Sequence, residues 1–204
     1  LALKTFIEIA HVLEDNEEEE WATPLLKELD INIQKHAWDG EWFLRGYRFD
    51  GMKFVSHESP EGRIFLNPQA WSVMSGAASG EQALSAMQNV KERLATEYGI
   101  ALCDPPYTVT DHKIVRASFM NPGLKENGGI FVHTQGWAVI AETMLGHGDQ
   151  AYAYLRAYLP AAHNDMAEIR EIEPYVLCQS THAKYSPKHG ASRIPWLSGS
   201  ATWT

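Results

Sequence analysis

Three tryptophans, Trp71, Trp137 and Trp203, stand 66 residues apart in a chain of 204. The residues around them repeat as well. Gln69-Ala70-Trp71-Ser72-Val73 matches Gln135-Gly136-Trp137-Ala138-Val139, and Gly80-Glu81-Gln82-Ala83 matches Gly148-Asp149-Gln150-Ala151. The tryptophan segments carry apolar residues at spacings of three and four, the pattern of a helix with a buried face. The Gly-acid-Gln-Ala signal that follows opens a second helix. The period is therefore one helical hairpin plus a long loop. Such a unit buries its apolar face only by stacking on its neighbours. The fold class expected is all-α. The natural closure is an α/α toroid, with the tryptophan helices inside and their partners outside, and an open solenoid fits the period equally well.

Composition narrows the function classes. With 45% hydrophobic residues and 204 positions, the chain has enough apolar material for one sizeable core. Its net charge of −9 argues against nucleic acid and anionic membrane surfaces as partners. No apolar run approaches the length of a membrane span, and no basic region followed by an apolar stretch opens the chain. Cys103 and Cys178 form no CxxC and no metal spacing, so reduced thiols in a cytoplasm are expected. Leu1 to Ala10 is helical in pattern from its first residue with no cap before it, and Ser198 to Thr204 reads as a helix that has only begun. The expectation is a piece of a longer protein, truncated at both ends.

Taken in order, residues 1–14 read as a helix. Asp15 and Asn16 suit the cap of the next, with Glu17 to Glu20 in its first turn and a Trp21, Leu25, Leu29 stripe running to about residue 36. Residues 38–66, rich in aromatics and glycine, suit short strands or an ordered loop. A helix starts at Asn67-Pro68. The helix opened by Gly80 has Leu84, Met87, Val90 and Leu94 as its core stripe. A long loop containing Pro105, Pro106, Pro122, Gly123, Gly128 and Gly129 leads to the second tryptophan helix, where Trp137, Ile140, Ala141 and Met144 share a face. The helix from Gly148 offers Tyr152, Leu155 and Tyr158 to the core. Residues 160–197 form a second long polar loop, a length uncommon unless functional.

The stretch Gly128 to Trp137 places His133 and Thr134 at or beside the start of a buried helix. Free N–H groups and the positive end of the helix dipole suit that place to an anion. Asn67, His133 and Gly199 each stand four residues before their tryptophan. The repeat therefore aims His133 and the Ser198-Gly199 pair at one mouth, roofed by the long loops. The loop Asn121 to Gly129 brings Lys125 near that mouth, where a plain solvated lysine is the competing reading. Gln179, in an aromatic and hydroxyl-rich loop, is the kind of group that bonds sugar hydroxyls. For Glu168 to Tyr175, with its alternating charges, a structural ion-pair network is the plain reading. There is no HExxH, no zinc spacing, no G-x-S-x-G elbow, no P-loop and no GxGxxG.

Three stretches together carry a specific resemblance: Gly128 to Glu142, Glu171 to His182, and Pro195 to Ala201. With Trp38-Asp39-Gly40-Glu41-Trp42, they resemble the disaccharide phosphorylases of glycoside hydrolase family 94, of the cellobiose and N,N′-diacetylchitobiose phosphorylase type. Members of that family are much longer. The resemblance implies that residues 1–204 are the C-terminal half of an (α/α)6 catalytic barrel, cytoplasmic, with a homodimer possible for the full-length protein. It implies disaccharide and inorganic phosphate as substrates and no further cofactor or metal. By position, His133, Ser198 and Gly199 match phosphate-binding residues, serine standing where the family has threonine. Gln179 matches a donor-sugar glutamine and Lys125 a lysine near the acceptor sugar. Arg116 and Met120 fall where cellobiose phosphorylases carry Glu and Tyr, which departs from a plain glucose acceptor and leaves more room at Met120. The family's general acid, an aspartate, would lie upstream of Leu1. The implied reaction is inverting phosphorolysis to an α-sugar 1-phosphate and a free sugar. An inverting hydrolase on the same toroid needs a second carboxylate near His133 to activate water, and a non-catalytic saccharide-binding module needs only the rim; both stay open at the level of sequence.

Overall fold

A computed structural model describes residues 1–113, 116–195 and 199. Six longer helices form three hairpins: α1 (Ala2–Val12) with α2 (Asn16–His36), α3 (Leu66–Met74) with α4 (Gly80–Asn89), and α5 (Val132–Met144) with α6 (Gly148–Tyr158). A short α7 (Ala167–Arg170) follows a 3-10 segment, Pro160–Met166. Helix makes up about half of the chain. The all-α expectation is corrected by the loops, which carry two-residue strands. Their ladders are β1 (Gly46–Tyr47) with β2 (Lys53–Phe54), β3 (Ile64–Phe65) with β6 (Cys103–Asp104), β4 (Ala95–Thr96) with β5 (Gly99–Ile100), and β7 (Ile130–Phe131) with β8 (Ser180–Thr181) and β9 (Ser192–Arg193), all antiparallel. Segments this short leave no periodicity in the sequence.

The repeat is visible in the packing. α3 and α5 lie side by side, and Trp71 meets Trp137 edge-on at 5.4 Å between ring centroids. The core around them is built from Ile64, Leu66, Ala70, Met87, Val90, Leu94, Ile100, Ala138 and Ala141. Small residues at Ala70, Ala138 and Ala141 let the two tryptophan helices approach closely. The Gly80 and Gly148 helix starts fall where the sequence places them, and Ser79 with Gln82 closes a reciprocal capping box on α4. Asp15 caps α2 by accepting from the Glu18 N–H.

One interaction recurs at both tryptophan helices, α3 and α5. Each is entered from a two-residue strand, and each has a fully buried glutamine at its fourth position. Gln69 Oε1 accepts from the Phe43 N–H at 2.8 Å, and its Nε2 donates to the carbonyls of Phe43 and Phe65, each at 2.9 Å. Gln135 Oε1 accepts from the Ile100 N–H at 2.7 Å, and its Nε2 donates to the carbonyls of Ile100 at 3.0 Å and Phe131 at 2.8 Å. Each amide satisfies both backbone groups of a residue distant in sequence and donates to the carbonyl at its own helix start. That residue is thereby locked to the strand–helix junction.

A second buried polar group organises the loop before α3. The Asp39 carboxylate accepts from Lys53 Nζ at 2.6 Å, Ser56 Oγ at 2.6 Å, and the His57 backbone N–H and ring Nδ1 at 2.9 and 2.8 Å. Burial alone would raise its pKa; the bonds from Lys53, Ser56 and His57 outweigh burial and hold it down at about 2.

Several faces differ from the sequence reading. Leu84 and Tyr152 face solvent, and their places in the core are taken by Ala83 and Tyr154, one and two positions away. Leu155 is half-buried and Tyr158 buried. Ile140 and Met144 are exposed, so the inward face of α5 runs through Gln135, Ala138, Ala141 and Glu142. The Trp21, Leu25, Leu29 stripe exists but points outward, and α2 buries Ala22. A helical stripe marks a face without saying which neighbour, if any, covers it.

Replacing Gln135 by Met keeps the volume but strands the N–H and carbonyl of Ile100 in the core. The expected loss is about 3 kcal/mol of stability, read as a lower denaturation midpoint at an unchanged slope. For Asp39 the folded-state pKa is depressed, so its contribution is present above the ordinary carboxylate range and is lost as pH falls from about 4 to 2. Asp39→Asn should remove on the order of 2 kcal/mol at pH 7 and flatten the acid limb of the stability curve.

Candidate functional site

His133 is the second residue of α5. The cap position is Phe131, in extended conformation, and no side chain caps the helix. Thr134 does not cap either: its hydroxyl donates to the Phe131 carbonyl at 2.9 Å. His133 is half-buried and held edge-on between two rings, Phe131 at 5.4 Å and Trp137, one turn on, at 5.2 Å. Its Nδ1 is buried and makes no hydrogen bond among the described residues, and burial lowers its pKa. A neutral imidazole with an idle nitrogen therefore stands at a helix N-terminus, where the first-turn N–H groups have no carbonyl within the helix to bond. The Val132 N–H donates to the Gln179 carbonyl at 3.2 Å, which brings the Gln179 loop onto this helix start.

Gln179 reaches the other way with its side chain. Its Oε1 accepts from Lys125 Nζ at 2.9 Å. Lys125 is thus not a free turn lysine. It sits at positive φ (43°) in a tight hairpin closed by Gly123 N–H to Asn127 O at 2.9 Å and Gly129 N–H to Lys125 O at 2.8 Å. A Cβ on Gly129 would lie 2.4 Å from the Lys125 nitrogen, so glycine is required for the hairpin to fold back on itself. Lys125, Gln179 and His133 accordingly form one junction: hairpin to loop to helix start.

Met120 follows the 3-10 turn Arg116–Phe119, and its carbonyl is tied to the hairpin by Asn127. Arg116 belongs to the same turn; its side chain, like the whole of Ser198, lies outside the described residues. Gly199 is described and exposed, without the serine before it. The expected meeting of His133 with Ser198-Gly199 therefore falls outside the described residues.

The structure shows further buried polar atoms whose burial the sequence did not reveal. Glu126 Oε2, Asn67 Oδ1 and Trp137 Nε1 are buried with no hydrogen-bond partner among the described residues. Glu126 adjoins Lys125, Trp137 carries one of the rings against His133, and Asn67 occupies in α3 the place of His133 in α5. Buried polar atoms are ordinarily paired, and of these three Trp137 Nε1 belongs to the ring that packs on His133. The signal in the sequence was the repeat itself, which aligns Asn67 with His133. Arg170, read as part of an ion-pair network, is instead buried, donating to the Gly190 carbonyl at 3.1 Å and the Thr181 hydroxyl at 3.3 Å, with Tyr98 beneath its guanidinium. It braces the loop that carries Gln179. Among the described residues no group of three or more His, Cys, Asp or Glu side chains is placed to hold a metal ion.

The model of the glycosyl hydrolase 94 superfamily catalytic domain matches residues 1–204. The chain belongs to the glycosyl hydrolase 94 superfamily. An N,N′-diacetylchitobiose phosphorylase of Vibrio proteolyticus is 35% identical over 204 residues, 99% of this chain and 26% of that protein. A solabiose phosphorylase of Paenibacillus borealis is 34% identical over 182 residues, 87% of this chain and 24% of its own length. A cellobionic acid phosphorylase of Neurospora crassa is 40% identical over 127 residues, 62% of this chain and 16% of that one. The chain thus spans about a quarter of the curated relatives it matches over its full length. No helix among the described residues is long and apolar enough to cross a membrane. Membership gives the helix start at His133 and the Lys125–Gln179 contact a catalytic domain to belong to.

His133 should titrate below the ordinary 6.5 in the ligand-free protein, followed by its ring proton shifts in an NMR titration. Because the folded-state pKa is depressed, the unfolded chain binds more protons in that window, and stability should fall as pH drops below about 6.5.

Proposed function

We propose that the protein containing this chain is an inverting phosphorylase of β-linked disaccharides. Residues 1–204 form the C-terminal half of its (α/α)6 catalytic domain. The observation that carries the reading is the junction of Lys125, Gln179 and the α5 start at His133, in a superfamily whose similar relatives bear phosphorylase names. The three hairpins, with α3 and α5 adjacent, support the barrel.

His133, the Ser198 hydroxyl and the backbone at Gly199 hold inorganic phosphate. Gln179 bonds the donor sugar, Lys125 reaches the acceptor, and Arg116 and Met120 shape the acceptor side. The neutral His133 ring offers an N–H to a phosphate oxygen, and the helix start adds favourable potential. A phosphate oxygen attacks the anomeric carbon as the glycosidic C–O bond breaks. An aspartic acid outside residues 1–204 protonates the departing oxygen. The products are an α-sugar 1-phosphate and a free sugar. Phosphate takes the place of the base-activated water of an inverting hydrolase, so one carboxylate suffices. No cofactor or metal enters the scheme. The unbranched Met120 leaves room for an acceptor bulkier than plain glucose. The enzyme is assigned to the cytoplasm, consistent with two buried unpaired thiols, and a homodimer suits the full-length protein.

The test is turnover of a panel of β-linked disaccharides, chitobiose- and cellobionic-type included, by the full-length protein with and without phosphate. Cleavage should require phosphate. Phosphate-independent cleavage would instead indicate a hydrolase, and binding without turnover a saccharide-binding module. In the same protein His133→Ala should raise the phosphate KM roughly 10-fold or more, the loss expected for a hydrogen bond of about 1.5–3 kcal/mol to a charged partner. The disaccharide KM should change little. Equal losses in both would contradict the assigned role.

A further inference from the structure

The hairpin that presents Lys125 is anchored by one side chain. Asn127 has no exposed surface. Its Oδ1 accepts from the Tyr107 N–H at 2.7 Å. Its Nδ2 donates to the Tyr107 carbonyl at 2.8 Å and to the Met120 carbonyl at 2.7 Å. Its backbone N–H donates to the Leu124 carbonyl and its carbonyl accepts from Gly123, each at 2.9 Å. Both amide hydrogens, the side-chain oxygen and both backbone groups are thereby engaged. The orientation of the amide is set by its partners, since the reverse one would face two carbonyls with an oxygen and an N–H with a donor.

These bonds join three separate stretches: the turn at Tyr107, the chain end of the 3-10 turn at Met120, and the hairpin at Lys125. Two of them carry residues assigned to the acceptor side, Met120 and Lys125. The third, Tyr107, is buried against Gly62, whose own N–H donates to the Pro105 carbonyl at 2.7 Å. Asn127 itself is sealed from any ligand. It can affect the sugar only through the positions of its neighbours. Phosphate is assigned to His133, Ser198 and Gly199, none of which is a partner of the Asn127 hydrogen bonds given above.

We infer that Asn127 is a positioning residue for acceptor binding: it fixes the spacing between Met120 and Lys125 and has no part in holding phosphate. The inference rests on the acceptor-side reading of Met120 and Lys125 given above. Asp at this position is nearly isosteric but cannot donate, so it turns two attractive contacts into repulsive ones. Ser is smaller and keeps a hydroxyl.

The experiment uses the full-length enzyme in both directions. In synthesis, with sugar 1-phosphate saturating, Asn127→Asp and Asn127→Ser should raise the acceptor KM by about 10-fold or more. In phosphorolysis the phosphate KM should stay within about twofold of wild type. Because Asn127 acts through the Lys125 hairpin as well as through Met120, adding Asn127→Ser to Lys125→Ala should raise the acceptor KM by clearly less than the factor Asn127→Ser produces alone. Equal changes in acceptor and phosphate KM, full additivity with Lys125→Ala, or failure of both Asn127 variants to fold would overturn the inference, the last by showing a scaffold role alone. If Lys125→Ala itself leaves the acceptor KM unchanged, the acceptor-side reading fails, and this inference with it. An unchanged KM in the Asn127 variants alone would sink only the latter.

Discussion

A primary amide buried at the fourth position of a helix, with no water to turn to, must find its partners in the backbone. Gln69 and Gln135 do so in the same way in both repeats, and much of the structure follows from that. Each pins a distant residue, Phe43 in a loop or Ile100 in β5, to the carbonyl of the residue that caps its helix. The distant residue, the entering strand and the helix start become one unit. An apolar residue there would pack as well but would leave the N–H and carbonyl of Phe43 or Ile100 without that partner, a penalty that outweighs what its burial gains. The 66-residue period is thus more than a recurrence of tryptophans. It is a recurrence of the joint that fixes where each tryptophan helix begins.

The candidate site lies at one of these joints. Gln135 holds the Phe131 carbonyl from within α5, while Val132 and the β7–β8 ladder hold the Gln179 loop from outside. His133 stands between them, with Phe131 and Trp137 fixing its ring and nothing among the described residues bonding its Nδ1. A rigid helix start with an idle nitrogen is the feature on which the phosphate proposal rests. The Lys125 hairpin then approaches from the far side of Gln179. The helix start and the hairpin, to which the proposal assigns phosphate and acceptor sugar, have separate supports, the glutamine clamp for one and Asn127 for the other.

What could be read in the sequence was what repeats or has local chemistry. The hairpins and their Gly80 and Gly148 starts followed from the 66-residue period, and the Asp15 cap from side-chain type. Resemblance named Lys125 and Gln179 separately, one on the acceptor side and one on the donor side; the 2.9 Å contact between them was not legible. Illegible features share a physical cause. Two-residue strands have no alternation to detect. Leu84 and Tyr152 sit on helices whose apolar residues span more than one face, so periodicity does not choose between Leu84 and Ala83 or between Tyr152 and Tyr154. Asn127, Asp39 and Arg170 look like surface residues by type, and are buried because they bond loop backbone and side chains from distant positions. Composition carries no trace of such partners. The idle oxygens of Glu126 and Asn67 are visible only once burial is known.

The chemistry proposed for this joint has one stereochemical consequence that other readings do not share. Phosphate held by His133 on one face of the sugar, with the acid on the other, must invert the anomeric carbon. The most direct measurement is an NMR spectrum of the first product formed by the full-length enzyme from a β-linked disaccharide in phosphate buffer. Phosphorolysis at this site predicts the α-sugar 1-phosphate, recognised by its anomeric proton coupling and its phosphorus signal. A free reducing sugar without phosphate ester, or a β-sugar 1-phosphate, would contradict it.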